Sequence, residues 1–246
     1  MHVQIPIYVI NIAKDTARFA SISRQLATQR LQFERVEAVV GKDLSARKKS
    51  QSYSPFWYGL FMGRRPSDGE LGCNLSHRMV WQMMLERRQD WVIIFEDDAE
   101  LDTDFAKHLA LFESASQDFE VVQFFSLRKP DIFKASMADS KFKLMTYSGP
   151  NPTATAYGLR LSGAQKLLKF NRIIFTNDKW VWARALLGLK CAAIYPFPVG
   201  MHETLSRQST IGGTATSKRR GHLLWRLAVL PVLRIVRSAM LKFRGF

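Results

Sequence analysis

Apolar residues in this chain fall into short β-branched and aromatic runs separated by longer amphipathic stretches, the pattern of an α/β protein. Residues 3–10 read as a first strand, with Pro6 marking a point that lacks a ladder donor. A polar loop from Asn11 to Arg18 leads into a helix reaching about Gln29, because Phe19, Ile22 and Leu26 recur at helical spacing. Residues 33–40 form a second strand closed by Gly41. Ser67 and Glu70 make a capping box that starts a helix running to about Arg87. On that helix Leu75, Met79 and Met83 draw one apolar line, and Asn74, His77, Arg78 and Trp81 share a neighbouring face. Residues 91–95 are a buried strand.

Further along, 105–112 predicts a helix and 121–127 a strand, followed by a polar connection over 128–140. Strands follow at 141–147 and 153–159; the small residues of the second suggest that something approaches it closely. Ser162 caps a short helix, 180–187 is an aromatic helix with Asp178 near its start, and 194–199 is an edge strand or extended segment. Residues 42–66 look irregular, basic and aromatic, as in a lid or an acceptor-binding loop.

The net charge of +15 is unevenly placed. No acid follows Glu203, yet nine Lys and Arg residues do, and from Lys218 they alternate with Trp, Leu and Phe. That pattern suits a helix lying on an anionic membrane surface better than a solvated helix. The expected division is a catalytic domain over 1–213 and a basic amphipathic tail over 214–246. The first residues do not read as a signal peptide, and no apolar run is long enough to span a bilayer. Two distant cysteines, Cys73 and Cys191, make no disulfide framework, which fits a reducing compartment.

The chemistry centres on Glu96-Asp97-Asp98, three carboxylates at the end of the 91–95 strand. Ligands gather outside the carboxyl ends of strands in open α/β sheets, and Mg²⁺ or Mn²⁺ takes carboxylates together with a substrate's phosphates. Strand alternation would aim Glu96 and Asp98 the same way. A solvated acidic turn is the alternative. No Gly-x-Gly-x-x-Gly and no P-loop is present. Asp178 is as well placed to cap its helix as to act as a catalyst.

The order of these motifs resembles glycosyltransferase family 25, the bacterial lipooligosaccharide and lipopolysaccharide galactosyltransferase group. The matching segments are Tyr8-Val9-Ile10-Asn11-Ile12 with Asp15 and Arg18, Gly69 through His77, Ile93 through Ala99, and Thr155-Ala156-Tyr157 before Ser162-Gly163-Ala164. The resemblance implies a GT-A-like fold, a UDP-sugar donor, and inverting transfer of β-linked galactose to a lipid-linked oligosaccharide. It further implies that Asp98 ligates Mn²⁺ or Mg²⁺, with Glu96 and Asp97 behind it or on the ribose. Asn11, Arg18, His77 and Arg78 would meet the donor. Asp178, with Glu203 as second candidate, would be the general base. The basic tail would hold the enzyme at the cytoplasmic face of the bacterial inner membrane. A metal-dependent nucleic-acid-binding protein or nuclease is the competing reading. Most of the excess positive charge, however, lies in an apolar-rich tail and no nucleic-acid module is visible, so no nucleic-acid partner is expected. A non-catalytic membrane adaptor is the third, and the intact acidic triplet argues against it.

Overall fold

The computed structural model describes residues 5–137 and 141–202. Glu203, the 213/214 boundary and the basic tail lie outside the described residues. The chain begins with β1 (Ile7–Asn11), α1 (Thr16–Thr28), β2 (Glu34–Glu37), a 3-10 turn at Gly41–Asp43, α2 (Ala46–Ser52), α3 (Pro55–Met62) and α4 (Asp68–Glu86). It continues through β3 (Trp91–Glu96), β4 (Ala99–Leu101), α5 (Phe105–Ala115), β5 (Val121–Gln123), β6 (Ile132–Ser136), β7 (Lys143–Thr146) and β8 (Ala156–Arg160). The last described elements are α6 (Leu161–Leu167), α7 (Trp180–Leu187), β9 (Cys191–Tyr195) and β10 (Val199–Met201).

Eight strands form one mixed sheet in the order β2-β1-β3-β8-β5-β9-β7-β6, and β10 pairs with β4 in a separate ribbon. β1 lies parallel to both β2 and β3, while β8 runs antiparallel between β3 and β5. The two central strands of the first half bury both faces, as a sheet covered on both sides requires. Val9, Ile93 and Phe95 enter one apolar cluster with Ile22 and Leu26 of α1 and Phe105 of α5. Tyr8, Ile10, Val92 and Ile94 enter the other, with Val80, Trp81 and Met84 of α4. Alternate residues of β1 and β3 therefore face α1 or α4. The close approach expected at 153–159 is real: a Cβ on Gly158 would meet ring carbons of Trp91 at 2.2 Å.

Four expectations change. Residues 42–66 carry two helices. Ser45 accepts from the Lys48 N–H at 3.2 Å, and Ser54 with Pro55 starts α3, which ends at Gly63 with φ 71°. α3 is anchored by Tyr58 against Leu71 and Ile173 and by Phe61 against Trp182, so the segment is not a free loop. Within 128–140 lies β6, an outermost strand exposed at all five positions, which left no apolar alternation to detect. Ser162 sits inside α6, whose N-cap is Arg160. β9 is interior rather than an edge, between β5 and β7, and covers 191–195.

Candidate functional site

A cleft opens at the carboxyl ends of β1 and β3, between α1 and the start of α4. Its lining includes Asn11, Arg18, His77, Glu96, Asp97 and Asp98, so six of the positions singled out from the sequence come together. The opposite wall is residues 38–42, held against α4 by a pair of glycines. A Cβ on Gly72 would lie 2.4 Å from the Val39 carbonyl oxygen, and one on Gly41 would lie 1.7 Å from that of Asp68. Ser76 Oγ fixes the same wall by accepting from the Val39 N–H at 2.8 Å.

The carboxylates divide between the two sides. Glu96, an even position of β3, points towards α4: Oε1 lies 3.0 Å from His77 Nε2 and 3.7 Å from Cys73 Sγ. Asp97 turns towards α1, accepting from Asn11 Nδ2 at 2.6 Å and pairing with Arg18 at 3.0 Å. Asp98 does not follow Glu96. The strand ends at Glu96, the chain turns at 97–98, and Asp98 pairs with Arg18 at 3.1 Å. The expectation that Glu96 and Asp98 share a face is thus corrected by the turn, which breaks strand alternation. Behind Asn11 stands Arg35, donating to its Oδ1 at 2.5 Å. Nothing in its position on β2 marked it as part of this network.

Burial raises the carboxyls of Asp97 and Asp98, and the field of Glu96 adds to the rise at Asp98, which reaches about 7. Burial also acts on Glu96, but the hydrogen bonds of His77 and Cys73, with the charge of Arg18, outweigh it and hold that carboxyl below its ordinary value. Cys73 is pushed well up by burial, so its thiol keeps its proton.

Of the buried side-chain polar atoms without a partner among the described residues, two belong to residues lining the cleft: Asp98 Oδ1 and Arg18 Nε. A carboxylate oxygen lacking a donor asks for a cation, and a guanidinium N–H lacking an acceptor asks for an anion. A divalent cation bound together with a phosphate supplies both, and the oxygen donor at Asp98 suits Mg²⁺ or Mn²⁺. Lys14 and Lys42 line the same cleft and add positive charge for such an anion. Cys73, His77 and Glu96 also offer ligand atoms within 4.8 Å of one another. Their contacts to each other are already hydrogen bonds, so this trio needs no ion to be satisfied.

The remaining sequence candidates lie elsewhere. Arg78 is not in the cleft lining: one residue round the helix from His77, it donates to the Phe170 carbonyl at 2.8 Å. Asp178 pairs with Lys179 and does not cap α7, whose N-cap Lys179 makes no side-chain cap. Its neighbour Asn177 reaches Cys73 Sγ at 3.6 Å, which brings Asp178 beside the α4 side of the cleft. Two further features escaped the sequence. The β4–β10 ribbon lays the chain over the acidic turn, with the His202 N–H donating to the Asp98 carbonyl at 2.9 Å. Tyr157 puts its hydroxyl 2.8 Å from His77 Nδ1.

The fold and site define an α/β protein with a charged cleft at the carboxyl ends of parallel strands, suited to an anionic ligand and a cation. Residues 4–181 match glycosyltransferase family 25 (LPS biosynthesis protein), and the chain belongs to that family. Procollagen galactosyltransferase 2 of Homo sapiens is 26% identical over 172 residues, 67% of this chain and 27% of that protein. A Haemophilus influenzae protein named as a candidate glycosyltransferase is 30% identical over 120 residues, 47% of this chain and 40% of the relative. Inactive glycosyltransferase 25 family member 3 of Homo sapiens is 28% identical over 170 residues, 66% of this chain and 28% of the relative. The chain thus spans well under half the length of these relatives.

Proposed function

We propose that the protein is an inverting, UDP-sugar-dependent glycosyltransferase with a GT-A-like catalytic domain, transferring galactose in β linkage to a lipopolysaccharide-type oligosaccharide. The observation that carries this reading is the pairing of an unpartnered carboxylate oxygen on Asp98 with an unpartnered guanidinium N–H on Arg18, in one cleft. Asp98, backed by Asp97, would hold Mn²⁺ or Mg²⁺. The chemistry such an ion would supply there is positive charge beside the departing UDP. Arg18, Lys14 and Lys42 contribute fixed positive charge to the same end.

Inversion requires a base on the side of the anomeric carbon opposite the leaving group. Asp178 is the residue we assign, supported by its place beside Asn177 and Cys73; Glu203 is the other candidate. The carboxylate takes the acceptor hydroxyl's proton as that oxygen bonds to the anomeric carbon and the bond to UDP breaks. Asp178→Asn should lower kcat about 100- to 10,000-fold while leaving UDP affinity unchanged. Unchanged turnover would exclude Asp178. The tail over 214–246 would dock on anionic lipid at the cytoplasmic face of the inner membrane. Deleting 218–246 should release the protein from anionic vesicles and spare donor hydrolysis.

The deciding experiment is calorimetric titration with UDP, in Mn²⁺ and then in EDTA. Binding that depends on Mn²⁺, followed by galactose transfer from UDP-galactose, supports the proposal. No binding by folded protein in either condition refutes it.

A further inference from the structure

A line of hydrogen bonds runs from the core to the cleft, and its direction is set at its buried end. The indole N–H of Trp81 can only donate, and it meets Tyr157 Oη at 2.9 Å. Tyr157 Oη lies 2.8 Å from His77 Nδ1, and His77 Nε2 lies 3.0 Å from Glu96 Oε1. Tyr157 and His77 are fully buried and Trp81 nearly so, and a misdirected proton there would be left without a partner among the described residues. Because Tyr157 oxygen receives the Trp81 proton, its own hydroxyl proton has one partner, His77 Nδ1. That nitrogen must accept. The ring proton then sits on Nε2 and points at Glu96. The opposite tautomer would aim a second N–H at Tyr157 oxygen, strand the hydroxyl proton, and set two lone-pair-bearing atoms, Nε2 and Oε1, against each other.

At the cleft end, Oε1 of Glu96 is taken by His77 and Cys73. Oε2 forms no hydrogen bond with any described residue, while the side chain, a quarter exposed, lines the cleft. We propose that Trp81, Tyr157 and His77 are positioning residues that lock one imidazole tautomer and so hold Glu96 with Oε2 presented to a hydroxyl group of the nucleotide-sugar. The ligand half of this inference rests on the glycosyltransferase reading; the tautomer half does not. A carboxylate oxygen fixed this way accepts from the ribose diol or from a hydroxyl of the transferred sugar, and comparing UDP with UDP-galactose tells the two apart.

The test is ¹⁵N NMR of the His77 ring together with titrations of wild type, Tyr157→Phe and His77→Gln. In wild type, Nδ1 should be the unprotonated, accepting nitrogen and Nε2 the protonated one. A proton on Nδ1 overturns the relay. In Tyr157→Phe the Nδ1 signal should move, because its donor is gone, and ligand affinity should fall about three- to tenfold. Weakening of UDP itself places the hydroxyl on ribose; weakening of UDP-galactose alone places it on the sugar. His77→Gln, whose amide N–H₂ can replace the Nε2 proton, should bind within about twofold of wild type, whereas His77→Ala should not. Affinity unchanged in both Tyr157→Phe and His77→Ala overturns the role of Glu96. Wild type that binds no UDP refutes the glycosyltransferase reading and the hydroxyl contact with it, and the NMR spectrum still decides the relay.

Discussion

Replacing Asp98 by Asn should make the protein more stable and functionless. Asp98 is buried beside two other carboxylates, and its proton affinity is raised from the ordinary 3.8 to about 7. Each tenfold rise in proton affinity corresponds to about 1.4 kcal/mol, so carrying the charge at pH 8 costs the folded state up to about 4 kcal/mol. Local relaxation and entering water reduce what a neutral isostere recovers, to about 1–3 kcal/mol. Arg18 keeps its bond to Asp97 at 3.0 Å, so the substitution strands no guanidinium.

The sign follows from linkage. Between 3.8 and about 7 the folded chain holds a proton on Asp98 that the unfolded chain has lost. This contribution therefore makes the wild type less stable as pH rises through that window. The advantage of Asp98→Asn should be greatest above pH 8, shrink as the pH falls, and vanish below about pH 4. Urea denaturation in EDTA at several pH values measures it, and UDP with Mn²⁺ should then stabilise the wild type alone. A variant less stable than wild type at pH 8, or a gain independent of pH, would refute the reasoning.

Ser67→Ala removes the Oγ that accepts from the Glu70 N–H at 3.2 Å, and should cost about 1 kcal/mol by urea denaturation. Gly158→Ala drives a methyl group into the Trp91 ring, 2.2 Å away, and should destabilise by about 1–3 kcal/mol with a changed Trp fluorescence. Asn11→Ala leaves Arg35 and Asp97 without their shared partner. It should cost about 1–3 kcal/mol and weaken UDP binding, and unchanged UDP affinity would remove Asn11 from the site.

The elements with regular buried faces were legible in the sequence: β1, α1, α4 with its capping box, β3 and α7 all lie close to where periodicity puts them. Those missed had no such face or hid it. β6 is exposed along its length, and the apolar anchors of α3, Tyr58 and Phe61, were masked by the exposed Phe56 and Trp57 beside them. The Ser45 and Ser54-Pro55 starts and the Gly63 stop were present as signals, but the surrounding cations and aromatics read as a loop. At the site the residue types were legible and their partners were not. Asn11, Arg18 and the acidic triplet announce charge chemistry. Arg35 and Tyr157 enter through sheet pairing and helix packing that no local pattern encodes.

Parity along β1 and β3 explains why the site has two chemically different halves. The strands are parallel neighbours with Ile10 opposite Glu96, so odd positions of both face α1 and even positions face α4. Asn11 and Asp97 are odd and meet each other, and Asp97 pairs with Arg18 of α1; Glu96 is even and meets Cys73 and His77 of α4. One uninterrupted run of acids is thereby divided between a side built for ionic contacts and a side built for directed hydrogen bonds. The turn at 97–98 then returns Asp98 to the ionic side, where burial leaves its Oδ1 unsatisfied. The arrangement depends on the length of β3: a single residue inserted before Glu96 would exchange the faces of the strand residues upstream of it relative to the triplet. It would either bury a carboxylate against Phe105 or turn Phe95 out of the core. The apolar packing that fixes the register of β3 is thus the same packing that separates the charge chemistry from the hydrogen-bond chemistry of the cleft.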